Sequence, residues 1–411
     1  MPTPTTVEAL HLALERVAPL PLARLPLAEV LGLALAEDVV SRDTIPPFVN
    51  SAMDGYAVRA ADVAAAGPAS PARLVVLEDV PAGRSATRPV APGTAIRIMT
   101  GAPLPDGADT VVKVEDTKQD GDAALILRAE KRGANVRAAG EDVRAGERAL
   151  AAGTALRPAE IGLLAALGVA EPLVRRRPRV AVVTTGDELV DVAENPGPGQ
   201  IRDANIHAMC AQLRALGAEP LPFPRVADRR EAVLDALAAA LAAADMVLTN
   251  GGISVGDYDF VKGVLAELGA HEVFWKVRQK PGGPLGFYVA QGKPVFGLPG
   301  NPVAAQVCIE EYARPTLRSM MGHARLHRPT ATARLVEGYR KSGQDGKLHF
   351  VRVFAQWSGS GLEARTTGPQ GSGLLTSMVG ANGLALVPAE AVEIPPGGAV
   401  TVHLTDLPED R

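Results

Sequence analysis

Cysteine is nearly absent. Cys210 and Cys308 stand far apart and form no CxxC or zinc pattern, which excludes a disulfide scaffold and fits a reducing, cytoplasmic setting. Aromatic residues make up only 4%, and charge nearly cancels, with 42 Lys+Arg against 46 Asp+Glu. Neither a base-stacking nor a polybasic surface is available, so no nucleic-acid partner is expected. Long apolar runs are missing too. The most apolar stretch, Ala236–Ala244 between Asp235 and Asp245, falls far short of the ~20 residues a membrane span needs, and no membrane partner is expected. The opening MPTPTTVEAL has no basic stretch before an apolar core and does not read as a secretory leader. No Walker A motif occurs, and no GxGxxG follows a strand, which argues against an ordinary P-loop enzyme and a dinucleotide dehydrogenase.

What is present is a chain of 411 residues punctuated by 42 Gly and 34 Pro, long enough for about three domains. Thr5-x-x-Glu8 is a capping-box signature, and Val7, Leu10, Leu14 and Val17 share one face of the helix it starts. Leu27–Val39 is a second helical candidate, and helix returns at 158–167 behind Pro158. Between them lie short strands and turns. These readings predict a helical domain (1–45 with 141–175) interrupted by an inserted β-rich domain (46–140). Arg175, Arg176, Arg177 and Arg179 around Pro178 read as a solvated linker. From 176 to 325 strands and helices alternate in the doubly wound α/β manner. From 326 to 411 the pattern returns to strands, with Val400, Val402 and Leu404 alternating with polar residues, as in a small β barrel or sandwich. His323 and His327, without a third ligand, read as surface residues.

Three polar, glycine-bearing motifs each follow an α/β strand: TTGDEL at Thr184–Leu189, NGGISVGDYD at Asn250–Asp259, and GLPGNP at Gly297–Pro302. In such a sheet the strand ends share one edge, where ligands bind. Glycine lets backbone N–H groups approach an anion closely, which marks Gly251, Gly252, Ser254, Pro299, Gly300, Asn301 and Pro302 as candidate binding residues. Asp187, Glu188, Asp257 and Asp259 are hard oxygen donors suited to Mg²⁺ beside a phosphate. Each acid taken alone reads better as a helix cap or dipole partner; the convergence of three motifs on one edge favours a phosphate-and-metal site. Lys276 and Lys280 in FWKVRQKPGGP could neutralise an oxyanion or simply be solvated. In the inserted domain, NSAMDGYA around Asp54, RIMTGAP around Thr100 and Gly101, and GANVRAAGED from Gly133 to Asp142 are polar and glycine-rich. Taken alone, they read narrowly as turns and surface charges.

In order, NSAMDGYA, RIMTGAPLPDGADTVV, GANVRAAGEDV, TTGDEL, GQIRDAN, NGGISVGDYDFVK, KPGGP, LPGNPVA, PQGSG and ANGLALVP resemble the MoeA-type molybdopterin molybdenumtransferase family, related to the E domain of gephyrin. The resemblance spans about Pro47 to Pro388. It departs at Gly283, where the family commonly carries a second lysine in KPGKP. It implies a molybdopterin-binding α/β domain, cleavage of adenylylated molybdopterin with loss of AMP, and ligation of molybdate by the dithiolene sulfurs with Mg²⁺. It also implies a homodimer with a site shared between subunits, and contact with the molybdopterin adenylyltransferase. Asp54, Arg137, Asp142, Glu188, Asp228, Asp259, Lys276, Lys280 and Ser372 match positions the family uses. Two other readings stay open on the sequence: a molybdopterin adenylyltransferase, and a non-catalytic scaffold like part of gephyrin.

Overall fold

The first helix forms where its cap predicts. In the computed structural model, which describes residues 2–252, 260–359 and 361–406, Thr6–Leu14 is helical and Thr5 and Glu8 complete a reciprocal capping box. Its buried residues are Ala9 and Ala13, whereas Val7 is 76% exposed. Close approach of the helix selects the small side chains instead of the longer aliphatic stripe. The expected helix over Leu27–Val39 does not form. Residues 27–29 make a turn, Gly32 takes a φ of +81°, and Ala34 and Leu35 make isolated bridges to Ala155 and Val174. A left-handed glycine interrupts a helix, and the aliphatic residues are buried here through bridge pairing.

Two compact units are resolved: 38–151 with 162–170, and the remainder of the chain. The first carries a six-stranded sheet in the order Thr110–Lys113, Gly55–Val58, Thr94–Ile98, Ala72–Val80, Ala123–Ile126, Thr117–Asp120. Alternation buries both faces: Tyr56 and Val58 join one apolar cluster, and Ala57 joins another with Ile96 and Ile98.

The second unit holds the α/β sheet, ordered Glu219–Pro222, Arg179–Thr184, Met246–Asn250, Lys293–Leu298, Gly286–Ala290, His271–Trp275. Its first four strands are parallel, and the last two are antiparallel. Ala181 and Val183 pack against Arg230–Ala243 and Phe260–Glu267. Val180 and Val182, pointing the other way, are equally buried, so both faces are covered, as parallel sheets require. Arg175–Arg179 is more than a solvated linker. Arg176 forms a two-pronged ion pair with Asp245 at 2.6 and 2.7 Å, and Arg177 donates to Gly217 O and Leu31 O.

The C-terminal strands close on themselves. Leu348–Ser358 pairs with Gly361–Thr366 and Gly383–Val387, and the circuit returns through Gly398–Leu404 and Thr330–Leu335. This is a five-stranded barrel, filled by Val351, Val353, Ala385 and Val402. A short segment from the α/β domain, Gln279–Lys280, adds in parallel to the barrel strand, pairing Lys280 with His349. Among the described residues no helix is long and apolar enough to cross a membrane.

His323 contradicts its surface reading. It is 6% exposed, and neither ring nitrogen has a hydrogen-bond partner among the described residues. Burial, reinforced by the Arg318 charge, pushes its pKa down to about 4 from an ordinary 6.5. Between those values only the unfolded chain holds the proton, so this contribution is complete above the unfolded pKa and is lost as pH falls toward the folded one. The loss by pH 5 is about 2 kcal/mol. The melting temperature of the wild type should therefore fall more steeply from pH 7 to pH 5 than that of His323→Leu. Parallel curves would contradict this assignment.

Candidate active site

Parallel register sets the three loops side by side. Thr184 pairs with Asn250, and Asn250 pairs with Leu298, so the segments that follow leave one edge at one level. Asn250 is buried; its Nδ2 donates to Pro299 O at 2.6 Å, and its Oδ1 accepts from Asn205 Nδ2 at 2.7 Å. Asn205 also donates to Gly300 O at 2.7 Å. Asp203 accepts from Thr184 Oγ1 at 2.7 Å and caps the helix Ala204–Ala215. Asn205 and Asp203 lie in GQIRDAN, so sequence motif could have marked them, but not as the clamp holding two loops together.

Gly251 and Gly252 are needed for space and for conformation. Their φ values are +88° and +63°, and a Cβ on Gly251 would stand 2.8 Å from Thr185 O. The Thr185 hydroxyl beneath them is buried with no partner among the described residues. Gly300 approaches Gly251 closely enough that its Cβ would lie 3.9 Å from the Gly251 Cα. Backbone therefore forms the floor of this edge. Ser254, Asp257 and Asp259 lie outside the described residues.

The acids at the edge divide their tasks. Asp187 and Asp228 exchange backbone-to-carboxylate hydrogen bonds, Asp187 N–H to Asp228 Oδ2 at 3.3 Å and Asp228 N–H to Asp187 Oδ1 at 3.1 Å. Both thus lock the TTGDEL turn. Glu188 is exposed, with its carboxylate folded over Gly186. No group of three or more His, Cys, Asp or Glu among the described residues is placed to hold a metal alone.

Beside this edge, a cavity of about 730 Å³ lies between the α/β domain and the barrel. Pro299, Asn301, Lys280 and Gly283 line it from the α/β side, and Tyr339, Arg340, Asp345, Lys347 and Gln370–Ser372 from the barrel. Asn301 Nδ2 donates to Ser372 Oγ at 3.0 Å, and Val303 N–H to Ser372 O at 3.1 Å. The Pro299–Pro302 loop therefore serves both the glycine edge and the cavity. Pairing with the barrel strand carries Lys280 to this wall, but Lys276 is not among the lining residues. Arg340 is engaged by Glu393. Among the described residues neither the Lys280 nor the Lys347 ammonium has an ion-pair partner.

Below the cavity, His349 Nε2 meets Asp345 Oδ2 at 2.8 Å and its Nδ1 meets the Tyr339 hydroxyl at 3.1 Å. Burial pushes the His349 pKa down, outweighing Asp345. The neutral ring then donates from Nε2 to the carboxylate and accepts the tyrosine proton at Nδ1. Buried Gln279 supports the KPGG turn, donating to Pro281 O at 3.1 Å and Gly282 O at 3.2 Å.

In the other unit, the Asp54 carboxylate accepts from Thr100 N–H and Thr100 Oγ1, each at 2.7 Å. Those bonds hold its pKa below the ordinary carboxylate value. Gly101 N–H donates to Ser51 O at 2.8 Å, and the two-residue strand Val136–Arg137 pairs with Asn50–Ser51. Asp54, Thr100, Gly101 and Arg137 thus surround one short ribbon. Glycine follows Asp54 because a Cβ on Gly55 would lie 2.0 Å from Val112 O. Asp142 is exposed, one residue beyond Glu141, the ion-pair partner of Arg137 at 3.9 Å.

A glycine-floored sheet edge with acids at its rim, beside a lysine-lined cavity, is the arrangement of an α/β protein with room and charge for an anionic ligand. Comparison with known proteins narrows this class. Residues 5–168 match the MoeA N-terminal region (domain I and II), 181–319 a probable molybdopterin binding domain, and 333–405 the MoeA C-terminal region (domain IV). Molybdopterin molybdenumtransferase 2 of Mycobacterium tuberculosis is 40% identical over 92% of this chain and 93% of its own. Molybdopterin molybdenumtransferase of Bacillus subtilis is 34% identical over 92% and 88%. The crystal structure of the molybdopterin biosynthesis moeA protein of Pyrococcus horikoshii superposes with a TM-score of 0.82 at 30% identity, covering 98% of this chain and 100% of that one. The chain belongs to the MoeA-type molybdopterin molybdenumtransferase family.

Proposed function

We propose that this protein inserts molybdate into adenylylated molybdopterin, releasing AMP and leaving molybdenum ligated by the dithiolene sulfurs. The observation that carries the reading is the continuity of two subsites through the Pro299–Pro302 loop, which borders both the glycine edge and the lysine-lined cavity. The backbone of Gly251, Gly252 and Gly300 suits a pyrophosphate, and the cavity holding Lys280, Lys347, Asn301 and Ser372 suits a tetrahedral oxyanion.

The donor set fits Mg²⁺ in one respect: Asp187 and Glu188 offer hard oxygens at the rim. This cation keeps several waters and shares its shell with phosphates, so one or two carboxylates suffice. Glu188, with Asp187, Asp257 and Asp259, would hold it; when bound it would neutralise phosphate charge and favour attack by water. Asp228 orients the turn carrying Glu188. Asp54 and Asp142, with Thr100, Gly101 and Arg137, would act on the same substrate from the partner subunit of a homodimer. The hydrogen bonds from Thr100 lower the Asp54 pKa and keep the carboxylate ionised, which suits it to orient a water or a substrate hydroxyl more than to take up a proton. The molybdopterin adenylyltransferase is the partner whose product this site would consume.

Lys280→Ala should raise the molybdate concentration for half-maximal AMP release about tenfold, with a weaker dependence on salt. A Cβ at Gly283 would lie 3.1 Å from Gln279 O without a left-handed backbone, so Gly283→Lys needs a shift of only a few tenths of an ångström. That variant restores the charge the family commonly carries and should lower the molybdate requirement. Unchanged molybdate dependence in both variants would remove the oxyanion assignment.

A further inference from the structure

Behind the cavity wall lies a cation that the reaction above leaves unused. Along the strand Leu348–Ser358, Val351 and Val353 fill the barrel, while Phe350 faces outward onto Val303 and Val307 of the helix after the Pro299–Pro302 loop. Arg352, by alternation, shares the Phe350 side. It is 1% exposed, and no carboxylate pairs with it among the described residues. Its Nε donates to buried Ser377 Oγ at 3.2 Å and its Nη2 to Gly371 O at 3.1 Å. Its backbone exchanges two more bonds with the Gln370 amide, at 2.8 and 3.2 Å.

A buried charge without a counter-ion is costly to the fold, so its hydrogen bonds to Ser377 and Gly371 alone give little reason for a charged side chain here. Desolvation pushes the Arg352 pKa down to about 10, which leaves the guanidinium charged at neutral pH. Its hydrogen bonds reach the cavity by one step, because Gln370, Gly371 and Ser372 are themselves lining residues. Ser372 in turn bonds Asn301 on the opposite wall and the backbone N–H of buried Val303.

We infer that Arg352 is a positioning residue for the oxyanion: it fixes the Gln370–Ser372 turn from behind, and its charge, unneutralised by the protein, strengthens the field that holds the anionic substrate. This rests on the assignment of the cavity to molybdate given above. The bound anion then serves as the counter-ion that the fold omits.

The test follows AMP release at varied molybdate in Arg352→Lys, Arg352→Met and Arg352→Gln, with melting temperatures alongside. The lysine variant should keep half-saturation within about threefold of wild type, and the two neutral variants should raise it about tenfold, more than they lower kcat. Neutral variants with wild-type half-saturation would overturn the inference. So would losses that track melting temperature equally in all three variants. If both neutral variants fail to fold while the lysine variant is normal, Arg352 serves stability alone and the inference also fails. A wild type lacking any saturable molybdate dependence would instead refute the cavity assignment itself.

Discussion

Glu188→Gln should abolish AMP release, lowering it about 10²–10³-fold, while leaving the melting temperature close to wild type. The carboxylate is exposed at the rim of the glycine-floored edge and caps no helix in the described residues, so its removal takes away a ligand and little stability. A mere capping acid would behave oppositely, costing about 1 kcal/mol of stability with no effect on the metal requirement. Titrating Mg²⁺ separates the two roles. Partial rescue at high Mg²⁺ supports the metal assignment, and normal AMP release at every Mg²⁺ concentration ends it.

The second large effect concerns the inserted domain. Asp54→Asn should be as inactive as Glu188→Gln, because amide replacement removes the charge that the Thr100 bonds stabilise. If the two residues act on one substrate from different subunits, mixing the variants should restore activity. Random reassortment gives half heterodimers, each with one intact site, so recovery should approach about a quarter of wild type. Mixtures that demonstrably exchange subunits but stay inactive would contradict the shared site.

The sequence made the site legible wherever the relevant rule was local or topological. TTGDEL, NGG and GLPGNP each follow an apolar strand, and parallel order alone brings them to one edge, as the Thr184–Asn250–Leu298 register bears out. Thr5 and Glu8 announced their helix, and the alternation at Val400 and Val402 announced a barrel strand. Aliphatic spacing misled at Leu27–Val39, where Gly32 and bridge pairing override it. Lys347 and Arg352 were invisible for a different reason. Their relevance depends on the barrel strand pairing with Gln279–Lys280, a contact between distant segments that no local pattern encodes. His323 likewise gives no sign of burial in the basic stretch HARLHRP.

One assay bears most directly on the account: purified protein incubated with adenylylated molybdopterin, Mg²⁺ and molybdate, with AMP followed over time. The account predicts AMP release that depends on molybdate and needs no ATP. Failure to cleave adenylylated molybdopterin, with ATP-dependent adenylylation of molybdopterin in its place, would contradict it.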